Sequence, residues 1–402
     1  MKETFDFIRI HREDNVRELA LQAARYPDID MPFALQQIQG WQTAKSKIPS
    51  WAAVEGIVYP PHLNMEQCSS EQTARYKASL CGNGRKMVDL TGGIGVDFAF
   101  MSQCFEQAVY VEQNQQLFAI SSGNFEVLGL KNITAVCQDC EEFLPLLDHA
   151  DLIYIDPARR NEHGGKTFAI SDCTPDIRQL MPTLLKKADR LLVKLSPMLD
   201  WHKAVADVNA AAEGAGRASR VHIVAVKNEC KELLIEMVAS EPSDTADTIE
   251  MVLVNDGQTI GYPVGAADEA DRCTPTPEPS DFVYLYEPNV AILKAGGTAL
   301  AAQHHNLKPI SGNSHLCVAK TPDDSFPGRI FSITGMATMN KRSLKTLLQR
   351  IERANIAVRN FPLTPDQLRK RLRLKDGGDN YVFGTTLADG THVVIVCKKT
   401  YV

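Results

Sequence analysis

Short apolar runs recur between residues 85 and 240, and polar stretches long enough for helices separate most of them. The runs are KMVDL (86–90), AVYVE (108–112), NITAVC (132–137), LIYID (152–156), RLLVKL (190–195) and VHIVAV (221–226). They are rich in strand-forming residues and mostly do not alternate between apolar and polar positions, which is typical of strands buried on both faces of a parallel sheet. The pattern therefore predicts repeated βαβ units and an α/β fold with a doubly wound sheet.

The last of these runs is followed closely by KELLIEMV (231–238), which leaves no room for a crossover helix. Two strands joined so tightly pair as an antiparallel hairpin. We therefore expect an antiparallel edge strand on an otherwise parallel sheet. A further run, TIEMVLVN (248–255), either extends this sheet or begins the next structural unit.

The regions on either side of the sheet have different patterns. The first 80 residues show helical spacing, with Asp30 before Pro32 and SSEQTARYKASL (69–80) as helix starts. Residues 263–280 are rich in Pro, Ala and acidic side chains and predict a linker. Beyond it, short strands alternate with helices, two of which are basic (341–354 and 364–373). The predicted domains are a helical region (1–80), the α/β domain (81–262), a small ferredoxin-like α+β segment (281–330) and a last α+β domain (331–402).

The composition is that of a globular protein of 402 residues, with 44% hydrophobic and 23% charged residues. The charged start MKETFDFIRIHRED lacks the apolar segment of a signal peptide, and no apolar run is long enough for a membrane helix, so we expect a cytoplasmic protein. One Cys-x-x-Cys pair, Cys137 with Cys140, has no second pair at zinc-ribbon spacing. We therefore predict neither a disulfide scaffold nor a metal site.

A glycine cluster, VDLTGGIGVDFAF (88–100), lies where the first strand ends and a helix begins. At such a junction small residues let a ligand approach the backbone, although a tight turn without a ligand has the same composition. A dinucleotide pattern read from Gly93 would need glycine where Phe98 stands, and no Gly-Lys-Ser/Thr follows for a nucleoside triphosphate. Asp89 and Asp97 flank the loop, and carboxylates suit the sulfonium and amino groups of S-adenosylmethionine better than a pyrophosphate.

These residues resemble the class I S-adenosylmethionine-dependent methyltransferases over roughly residues 85–240. VDLTGGIG resembles the first motif of that family, and VYVEQN (109–114) resembles the acidic strand end that binds ribose, here Glu112. VCQDCEEF (136–143) resembles the third-strand motif, in which Asp139 would meet the adenine amino group and Cys140 the neighbouring ring atoms. The resemblance implies a Rossmann-like sheet, S-adenosylmethionine as cofactor, and a cofactor site made of Thr73, Asp89, Thr91, Gly92, Gly93, Gly95, Asp97, Glu112, Asp139, Cys140 and Asp156.

Two further resemblances concern the flanking regions. SSEQTARYKASL (69–80), which contains Thr73, is similar to the segment before the first motif in cap guanine-N2 methyltransferases, where a helix closes over the methionine end of the cofactor. NFPLTPDQLRKRLRLKDGGDNYVFGT (360–385) resembles the THUMP-like domain of a bacterial branch of RNA methyltransferases. That second resemblance implies a structured RNA, tRNA or rRNA, as partner.

Positive charge is concentrated in the same part of the chain. Residues 341–375 carry eleven Lys or Arg against Glu352 and Asp366, a net charge of +9, whereas the remainder of the chain carries −15. Many runs of this kind are merely solvated, but a basic face on an otherwise acidic protein also suits an RNA backbone. The candidate RNA-binding residues here are Lys341, Lys345, Arg369, Arg371 and Arg373.

The stretch DLIYIDPARR (151–160) ends a buried strand with a carboxylate, a proline and two arginines. Asp-Pro-Ala-Arg resembles the Asp/Asn-Pro-Pro-aromatic motif of amino-group methyltransferases, in which the carboxylate accepts a hydrogen bond from the target amine. Asp156 and Pro157 are therefore candidate catalytic residues, together with Arg159 in the place of the aromatic residue. Because cationic side chains can stack on a base or bind a phosphate, the RNA side of the site is assigned to Arg159, Arg160 and Lys194.

The motif leaves alternatives open. Asp-Pro-Pro-Arg also occurs in uracil-C5 methyltransferases, which need a nucleophilic cysteine, and Cys173 and Cys230 are the nearest candidates. A plain Asp-Pro turn with exposed arginines is the structural alternative. The sequence favours a methyltransferase acting on a base amino nitrogen of structured RNA. The competing functions are a non-catalytic RNA-binding protein with this fold and a methyltransferase with a non-RNA substrate.

Overall fold

A computed structural model of the chain describes residues 2–159, 170–239, 248–272 and 275–400. The chain divides into two compact units. The first is formed by Met1–His222 with Lys231–Asp247, and the second by Ile223–Cys230 with Thr248–Val402. No helix within the described ranges is long and apolar enough to cross a membrane.

Six helices form the start of the first unit, as the helical spacing of the first 80 residues predicts. They are α1 (Lys2–His11), α2 (Val16–Leu21), α3 (Met31–Lys47), α4 (Pro49–Ala52), α5 (His62–Gln67) and α6 (Glu71–Cys81). Asp30 precedes α3, and its carboxylate accepts a hydrogen bond from the Phe33 amide at 3.2 Å. Ser70 caps α6, since its hydroxyl oxygen accepts from the Thr73 amide at 3.2 Å. Both caps satisfy amides that the first helical turn leaves without a partner.

The rest of the first unit alternates strands and helices. Its elements are β1 (Gly84–Asp89), α7 (Val96–Met101), β2 (Phe105–Val111), α8 (Gln115–Val127), β3 (Ile133–Val136), α9 (Cys140–Phe143), β4 (Ala150–Ile155), β5 (Ala158–Arg159), β6 (Cys173–Thr174), α10 (Ile177–Lys187), β7 (Ala188–Leu195), α11 (Trp201–Ala211), β8 (Gly216–Val226) and β9 (Glu229–Ala239). All six predicted strands are present, with slightly different ends. The tip of the β8–β9 hairpin, residues 223–230, belongs to the second unit.

Seven of these strands form a sheet in the order β8-β9-β7-β4-β1-β2-β3. The pairs β1/β2, β1/β4, β2/β3 and β4/β7 are parallel, and β9 runs antiparallel to β7. In the central strand β1, Val88 lies beside Val109 on one side and Ile153 on the other. This arrangement confirms the predicted α/β fold with a Rossmann-like sheet.

The antiparallel strand β9 lies inside the sheet, between β7 and β8, whereas the sequence pattern placed it at an edge. Residues 232–237 of β9 are all buried, and Leu233, Leu234 and Ile235 have no exposed surface. The backbone groups of a strand buried in this way need partners on both sides. The hairpin therefore turns back toward β7, and its first strand, β8, lies on the side of β9 away from β7.

The carboxyl ends of β1, β2 and β4 meet at one edge of the sheet because the three strands are parallel. Asp89 ends β1, Glu112 follows β2, and Asp156 follows β4. The connections after these strands therefore bring together acidic residues that are far apart in the sequence. The candidate site lies at this edge.

The second unit contains two sheets. Its elements are β10 (Glu250–Asn255), β11 (Gln258–Pro263), α12 (Ala266–Arg272), β12 (Tyr284–Pro288), α13 (Val290–Ala295), α14 (Thr298–His304), β13 (Lys308–Pro309), β14 (Cys317–Ala319), β15 (Gly328–Thr338), α15 (Lys341–Leu347), β16 (Asn355–Arg359), α16 (Pro365–Leu372), β17 (Asn380–Thr386) and β18 (His392–Lys399). Strand β10 is next to β8 in the strand order of the large sheet, and β11 pairs antiparallel with β10.

The other strands of the second unit form a seven-stranded sheet in the order β13-β14-β12-β15-β18-β17-β16. Strand β15 is long enough to pair with β12 through Gly328–Ser332 and with β18 through Phe331–Thr338. Phe331 is fully buried in a cluster with Leu285 of β12 and Phe383 of β17. The two α+β segments expected from the sequence therefore share one sheet and one core.

Two local predictions for this unit are wrong. The linker expected at residues 263–280 contains helix α12. The basic helix expected at 341–354 ends at Leu347, and residues 353 and 354 are not helical, since Arg353 bridges to Lys375 and the Ala354 amide donates to the Lys375 carbonyl at 3.0 Å. A backbone amide used in this bridge is not available to continue the helix.

Ser70→Ala removes the cap of α6 and should lower the free energy of unfolding of the first unit by about 1 kcal/mol. The three tryptophans of the chain, Trp41, Trp51 and Trp201, all belong to this unit, so urea unfolding followed by tryptophan fluorescence reports on it. Ser79→Ala, on the exposed side of the same helix, is the control and should cost less than about 0.5 kcal/mol. Equal losses in the two variants would contradict the capping role.

Candidate active site

The glycine loop after β1 is a tight turn in which the glycines serve different purposes. The Gly95 amide donates to the Gly92 carbonyl at 2.9 Å. A Cβ atom on Gly92 would overlap the Tyr110 ring, and one on Gly95 would overlap the Phe125 ring. Gly93 has a φ of +57°, which disfavours other residues, and its Cβ side is nearly open. Two glycines are therefore required by packing, and Gly93 leaves room for a ligand.

Side chains from β2 and α8, and Glu112 after β2, hold the peptide groups of Gly93. Glu112 Oε2 accepts a hydrogen bond from the Gly93 amide at 2.8 Å, and its Oε1 accepts from the Asn114 amide at 2.7 Å. The Gly93 carbonyl accepts hydrogen bonds from the hydroxyls of Tyr110 and Ser121. Burial raises the pKa of Tyr110, so the phenol stays protonated and can donate. The loop conformation is thus fixed by the elements that follow it.

Asp89, Thr91 and Asp156 tie the ends of β1 and β4 together. The Thr91 amide donates to Asp89 Oδ1 at 3.0 Å, and the Thr91 hydroxyl oxygen accepts from the Asp156 amide at 2.6 Å. Asp89 is almost completely buried, and burial together with the nearby carboxylates of Asp97 and Asp156 raises its pKa well above its ordinary value. A cation placed beside Asp89 would oppose this rise.

Five charged side chains, Glu232, Lys77, Asp97, Lys194 and Asp156, alternate in sign along this edge of the sheet; we call them the charge row. The Nζ atom of Lys77 is 2.5 Å from Glu232 Oε2 and 3.1 Å from Asp97 Oδ1. The Nζ atom of Lys194, on β7, is 2.5 Å from Asp156 Oδ2 and 3.9 Å from Asp97 Oδ2. Each lysine therefore lies between two carboxylates, which compensates for its loss of hydration.

Two hydroxyl groups complete the surroundings of Asp97. The Tyr154 hydroxyl donates to Asp97 Oδ2 at 2.8 Å, and the Ser69 hydroxyl donates to the same oxygen at 2.7 Å. Burial opposes the charge of Asp97, but Lys77, Lys194 and the two hydroxyls hold its pKa below the ordinary value. The structure thus directs both oxygens of Asp97, a predicted cofactor ligand, into the charge row.

Lys194, which was predicted to lie on the RNA side of the site, pairs with Asp156. Burial opposes the ammonium charge, but the carboxylates of Asp156 and Asp97 raise the pKa of Lys194 above its ordinary value. Burial raises the pKa of Asp156, and Lys194 counteracts that rise. An ion pair at this distance is consistent with both groups being ionised near neutral pH.

The other predicted cofactor residues lie at the starts of helices. Asp139 caps α9, and its Oδ1 accepts from the Glu141 amide at 2.7 Å. Cys140 is buried, and burial raises the pKa of its thiol to about 12. Thr73 is also buried, and its hydroxyl donates to the Ser70 carbonyl at 3.1 Å. Of these three, Asp139 alone has a partly exposed side chain.

The Asp-Pro-Ala-Arg segment leaves the large sheet as β5 and pairs with β6. Ala158 lies opposite Thr174, and Arg159 lies opposite Cys173. Pro157 is buried at the start of this turn. The side chain of Arg159 and all of Arg160 lie outside the described residues, so their predicted contacts with RNA stay predictions.

The cysteines considered for covalent chemistry are not placed like reactive thiols. Cys173 is buried in β6. The Sγ atom of Cys230 donates to the Val290 carbonyl at 3.7 Å, and burial raises the pKa of this thiol. A reactive thiol is accessible and has a lowered pKa. In the described part of the chain, no group of three His, Cys, Asp or Glu side chains could hold a metal ion.

The five C-terminal basic residues predicted to bind RNA belong to the second unit and divide into two groups. Arg369 is tied into the fold, since its Nη1 donates to the Ala354 carbonyl at 3.0 Å and its Nη2 pairs with Asp376 at 2.8 Å. Arg359 similarly pairs with Glu287 at 2.6 Å. The exposed predicted residues are Lys341, Lys345, Arg371 and Arg373, and Arg350 and Lys370 are exposed near them in the sequence.

Four residues of the site were not predicted from the sequence: Lys77, Glu232, Ser69 and Tyr154. Lys77 lies in a helix that also carries exposed charges, and nothing in the helical spacing marks it as buried. Glu232 follows Lys231 at the start of the mostly apolar run 233–238, where a charged residue has the appearance of an exposed strand end, although a charge buried on a strand requires a partner. Its partner could not be read from the sequence.

Two family models match the second unit. One is described as THUMP domain-like and matches residues 328–399, which contain β15 to β18. The other is described as a ferredoxin-like domain and matches residues 284–327, which contain β12 to β14. The boundary between the two matches falls where β15 begins.

Two relatives match nearly the whole chain. A crystal structure from Porphyromonas gingivalis W83, to which a methyltransferase function is ascribed, is 30% identical in sequence; the match covers 99% of this chain and 98% of that one, with a TM-score of 0.84. An uncharacterised S-adenosylmethionine-dependent methyltransferase of Mycobacterium tuberculosis is 23% identical over 343 residues, which are 84% of this chain and 87% of the relative.

Lys77→Met leaves Asp97 and Glu232 buried without their shared cation and should lower the free energy of unfolding of the first unit by about 3–5 kcal/mol at neutral pH. In the variant, burial is no longer offset by Lys77 and the pKa of Asp97 should rise, so protonation stabilises the variant as the pH falls from about 7.5 to about 5. The wild type keeps Asp97 ionised over this range, because its pKa is lowered. The difference in the free energy of unfolding between wild type and Lys77→Met should therefore become smaller toward acid pH.

Urea unfolding followed by tryptophan fluorescence at the two pH values measures this difference. Lys186→Met, at an exposed lysine of α10, is the control and should change the free energy of unfolding by less than about 0.5 kcal/mol. A Lys77→Met loss as small as that of the control, or one that grows toward acid pH, would contradict the assignment of the charge row.

Proposed function

Since the chain belongs to the S-adenosylmethionine-dependent methyltransferases whose C-terminal part is ferredoxin-like and THUMP-like, we propose that it methylates a base amino nitrogen of structured RNA, either tRNA or rRNA. The observation that carries the proposal is the position of Asp156. Asp156 follows the end of β4: its backbone amide donates to the Thr91 hydroxyl of the glycine loop, and its carboxylate pairs through one oxygen with Lys194.

The site fits S-adenosylmethionine by charge. When bound, this cofactor supplies a methyl group attached to positively charged sulfur. Asp89, Glu112 and Asp156 lie along the loop, whereas the two lysines of the charge row are already paired, so the site favours a cationic ligand. Glu112, Asp139 and Cys140 would hold the adenosine part, and the methionine part would lie against Thr73, Asp89, Thr91, Gly92, Gly93 and Gly95.

Asp156 is suited to orient an exocyclic amino group. Its Oδ2 is engaged by Lys194, and its Oδ1 has no hydrogen-bond partner among the described residues. An oxygen that accepts an N–H bond from the amine fixes the direction of the nitrogen lone pair, and most of the catalysis would come from this positioning. Transfer of the methyl group from sulfur to this nitrogen would leave the nitrogen cationic, and the same carboxylate could accept the proton that the nitrogen then releases. Pro157 stiffens the turn that holds this carboxylate.

A nitrogen target is favoured over a ring carbon by the surroundings of the cysteines. Methylation of a pyrimidine ring carbon requires a thiolate that adds to the ring. Cys173 is buried, and the thiol of Cys230 is bonded to a carbonyl and has a raised pKa. Neither provides the nucleophile, whereas the carboxylate that an amino group needs is present.

The second unit supports RNA as the substrate class. Lys341, Lys345, Lys370, Arg371 and Arg373 are exposed on or next to α15 and α16. Exposed lysines and arginines that neutralise phosphates release counterions, which gives affinity without sequence specificity. The THUMP domain-like match covers these residues. Arg159 and Arg160 would then contact the target nucleotide itself.

Transfer of label from methyl-labelled S-adenosylmethionine to total RNA of cells lacking this gene tests the function directly. We expect label in a discrete RNA, and a rate lowered by at least about 100-fold in Asp156→Ala, because the amine loses its acceptor. Nucleoside analysis of the labelled RNA then identifies the atom, and label on a ring carbon would contradict the nitrogen assignment.

Asp148→Ala, which removes an exposed carboxylate of the first unit, is the matched control and should retain full activity. Calorimetric binding of S-adenosylhomocysteine shows that each variant is folded and able to bind the cofactor product. Wild-type protein that binds this product but labels no RNA would exclude the RNA substrate and favour a non-RNA methyl acceptor.

Neutralising the exposed basic residues should weaken RNA binding in a salt-dependent way. A triple variant with glutamine at positions 370, 371 and 373 spares Arg369, which is part of the fold. The slope of log affinity against log salt concentration should become less steep by roughly 2 to 3, if each side chain contacts one phosphate. Glutamine at Lys131, Lys186 and Lys203, three exposed lysines of the first unit, should leave the slope unchanged. Equal slopes in both triple variants would remove this surface from the RNA site.

A further inference from the structure

Lys194 supports, from inside the protein, the carboxylate that the proposed function assigns to the target amine. The side chain of Lys194 is 12% exposed, against 36% for that of Asp156. A ligand that approaches this edge of the sheet therefore meets the carboxylate first. The ammonium lies 2.5 Å from Asp156 Oδ2 and 3.9 Å from Asp97 Oδ2.

Asp156 depends on Lys194 to remain ionised, because most of the other groups around it are carboxylates. Asp89 of β1 and Asp97 of α7 are carboxylates, and each disfavours a further negative charge nearby. Lys77 of α6 is the other cation near Asp156 in the described ranges, but its ammonium is shared between Asp97 and Glu232 of β9. Without Lys194, Asp156 would be a partly buried carboxylate next to two others.

The position of Lys194 is itself fixed by the rest of the charge row. Asp97, its second partner, is held by the Tyr154 hydroxyl at 2.8 Å and by Lys77 at 3.1 Å. These contacts come from β4 and α6, so the ammonium is supported by elements other than its own strand. Because Lys194 is held by Asp97 as well as by Asp156, it can keep the Asp156 carboxylate in one orientation.

We propose that Lys194 is a positioning residue, which keeps Asp156 ionised and holds its Oδ2 so that Oδ1 faces the target amine. This role replaces the RNA contact that the sequence suggested for Lys194. It rests on the proposed function of Asp156, although Lys194 touches neither substrate nor cofactor in this role. Its consequence is that loss of the ammonium changes the charge state of Asp156 as well as its orientation.

Two cofactor analogues measure this charge without any RNA. Sinefungin carries an amino group, protonated near neutral pH, where the cofactor carries its methyl sulfonium, whereas S-adenosylhomocysteine is neutral there. The ratio of their affinities therefore reports the negative charge that faces the transferred methyl group. Calorimetry between about pH 6 and about pH 8.5 gives this ratio for wild type, Lys194→Arg and Lys194→Met.

In wild type and Lys194→Arg, the preference for sinefungin should have the same dependence on pH, since Asp156 stays ionised in both and Asp89, whose pKa burial raises, is common to both. In Lys194→Met the preference should show an additional rise of about tenfold with pH, because burial and the neighbouring carboxylates then raise the pKa of Asp156 into the range. Adding Asp156→Asn to Lys194→Met should abolish the rise, which assigns it to Asp156. The binding of S-adenosylhomocysteine shows that each variant is folded, and Lys194→Gln replaces Lys194→Met if that variant does not bind.

The same pH dependence in wild type and Lys194→Met would overturn the role of Lys194. So would a rise that persists when Asp156 is replaced. The RNA labelling described above tests the proposed function separately. If the ratio behaves as expected and no RNA is labelled, the RNA substrate is wrong and the positioning role stands; if RNA is labelled and the ratio does not respond to Lys194→Met, the positioning role is wrong and the function stands.

Discussion

The complete burial of Lys77 is the constraint on which the first unit depends. A buried ammonium must find carboxylates inside the protein, because the loss of its hydration is otherwise not compensated. Lys77 pairs with Asp97 of α7 and Glu232 of β9. It therefore links α6 of the N-terminal region to α7, which follows the glycine loop, and to the antiparallel strand β9. Three segments that are distant in the sequence are thereby fixed against one another.

The same contacts determine the electrostatics of the candidate site. Asp97 is held on one side by Lys77 and attracts Lys194 on the other, and Lys194 in turn pairs with Asp156. The ammonium groups of Lys77 and Lys194 are thus paired with carboxylates inside the protein, while Asp89, Glu112 and Asp156 lie along the loop. A site of this kind suits a cationic cofactor such as S-adenosylmethionine.

The second unit contains the reverse arrangement. Glu287 of β12 is buried between Arg329 of β15 and Arg359 of β16, with its Oε2 at 2.7 Å from Arg329 Nε and its Oε1 at 2.6 Å from Arg359 Nη2. Here one carboxylate is shared by two cations, and the contact links strands from the ferredoxin-like match and from the THUMP domain-like match. Strand β15, which pairs with neighbours from both matches, explains why these segments form one compact unit.

By itself, the sequence determined the parallel sheet, the glycine loop and the acidic residues at the ends of β1, β2 and β4. These features are local, because apolar runs, turn residues and helix caps follow from backbone geometry and burial within a few residues. Only the tertiary structure decided that β9 lies inside the sheet, that Lys194 pairs with Asp156, and that Arg369 belongs to the fold. The physical reason is that the type of a charged residue does not indicate whether its side chain faces water or an ion-pair partner. That depends on whether the fold buries the side chain beside a residue that is distant in the sequence.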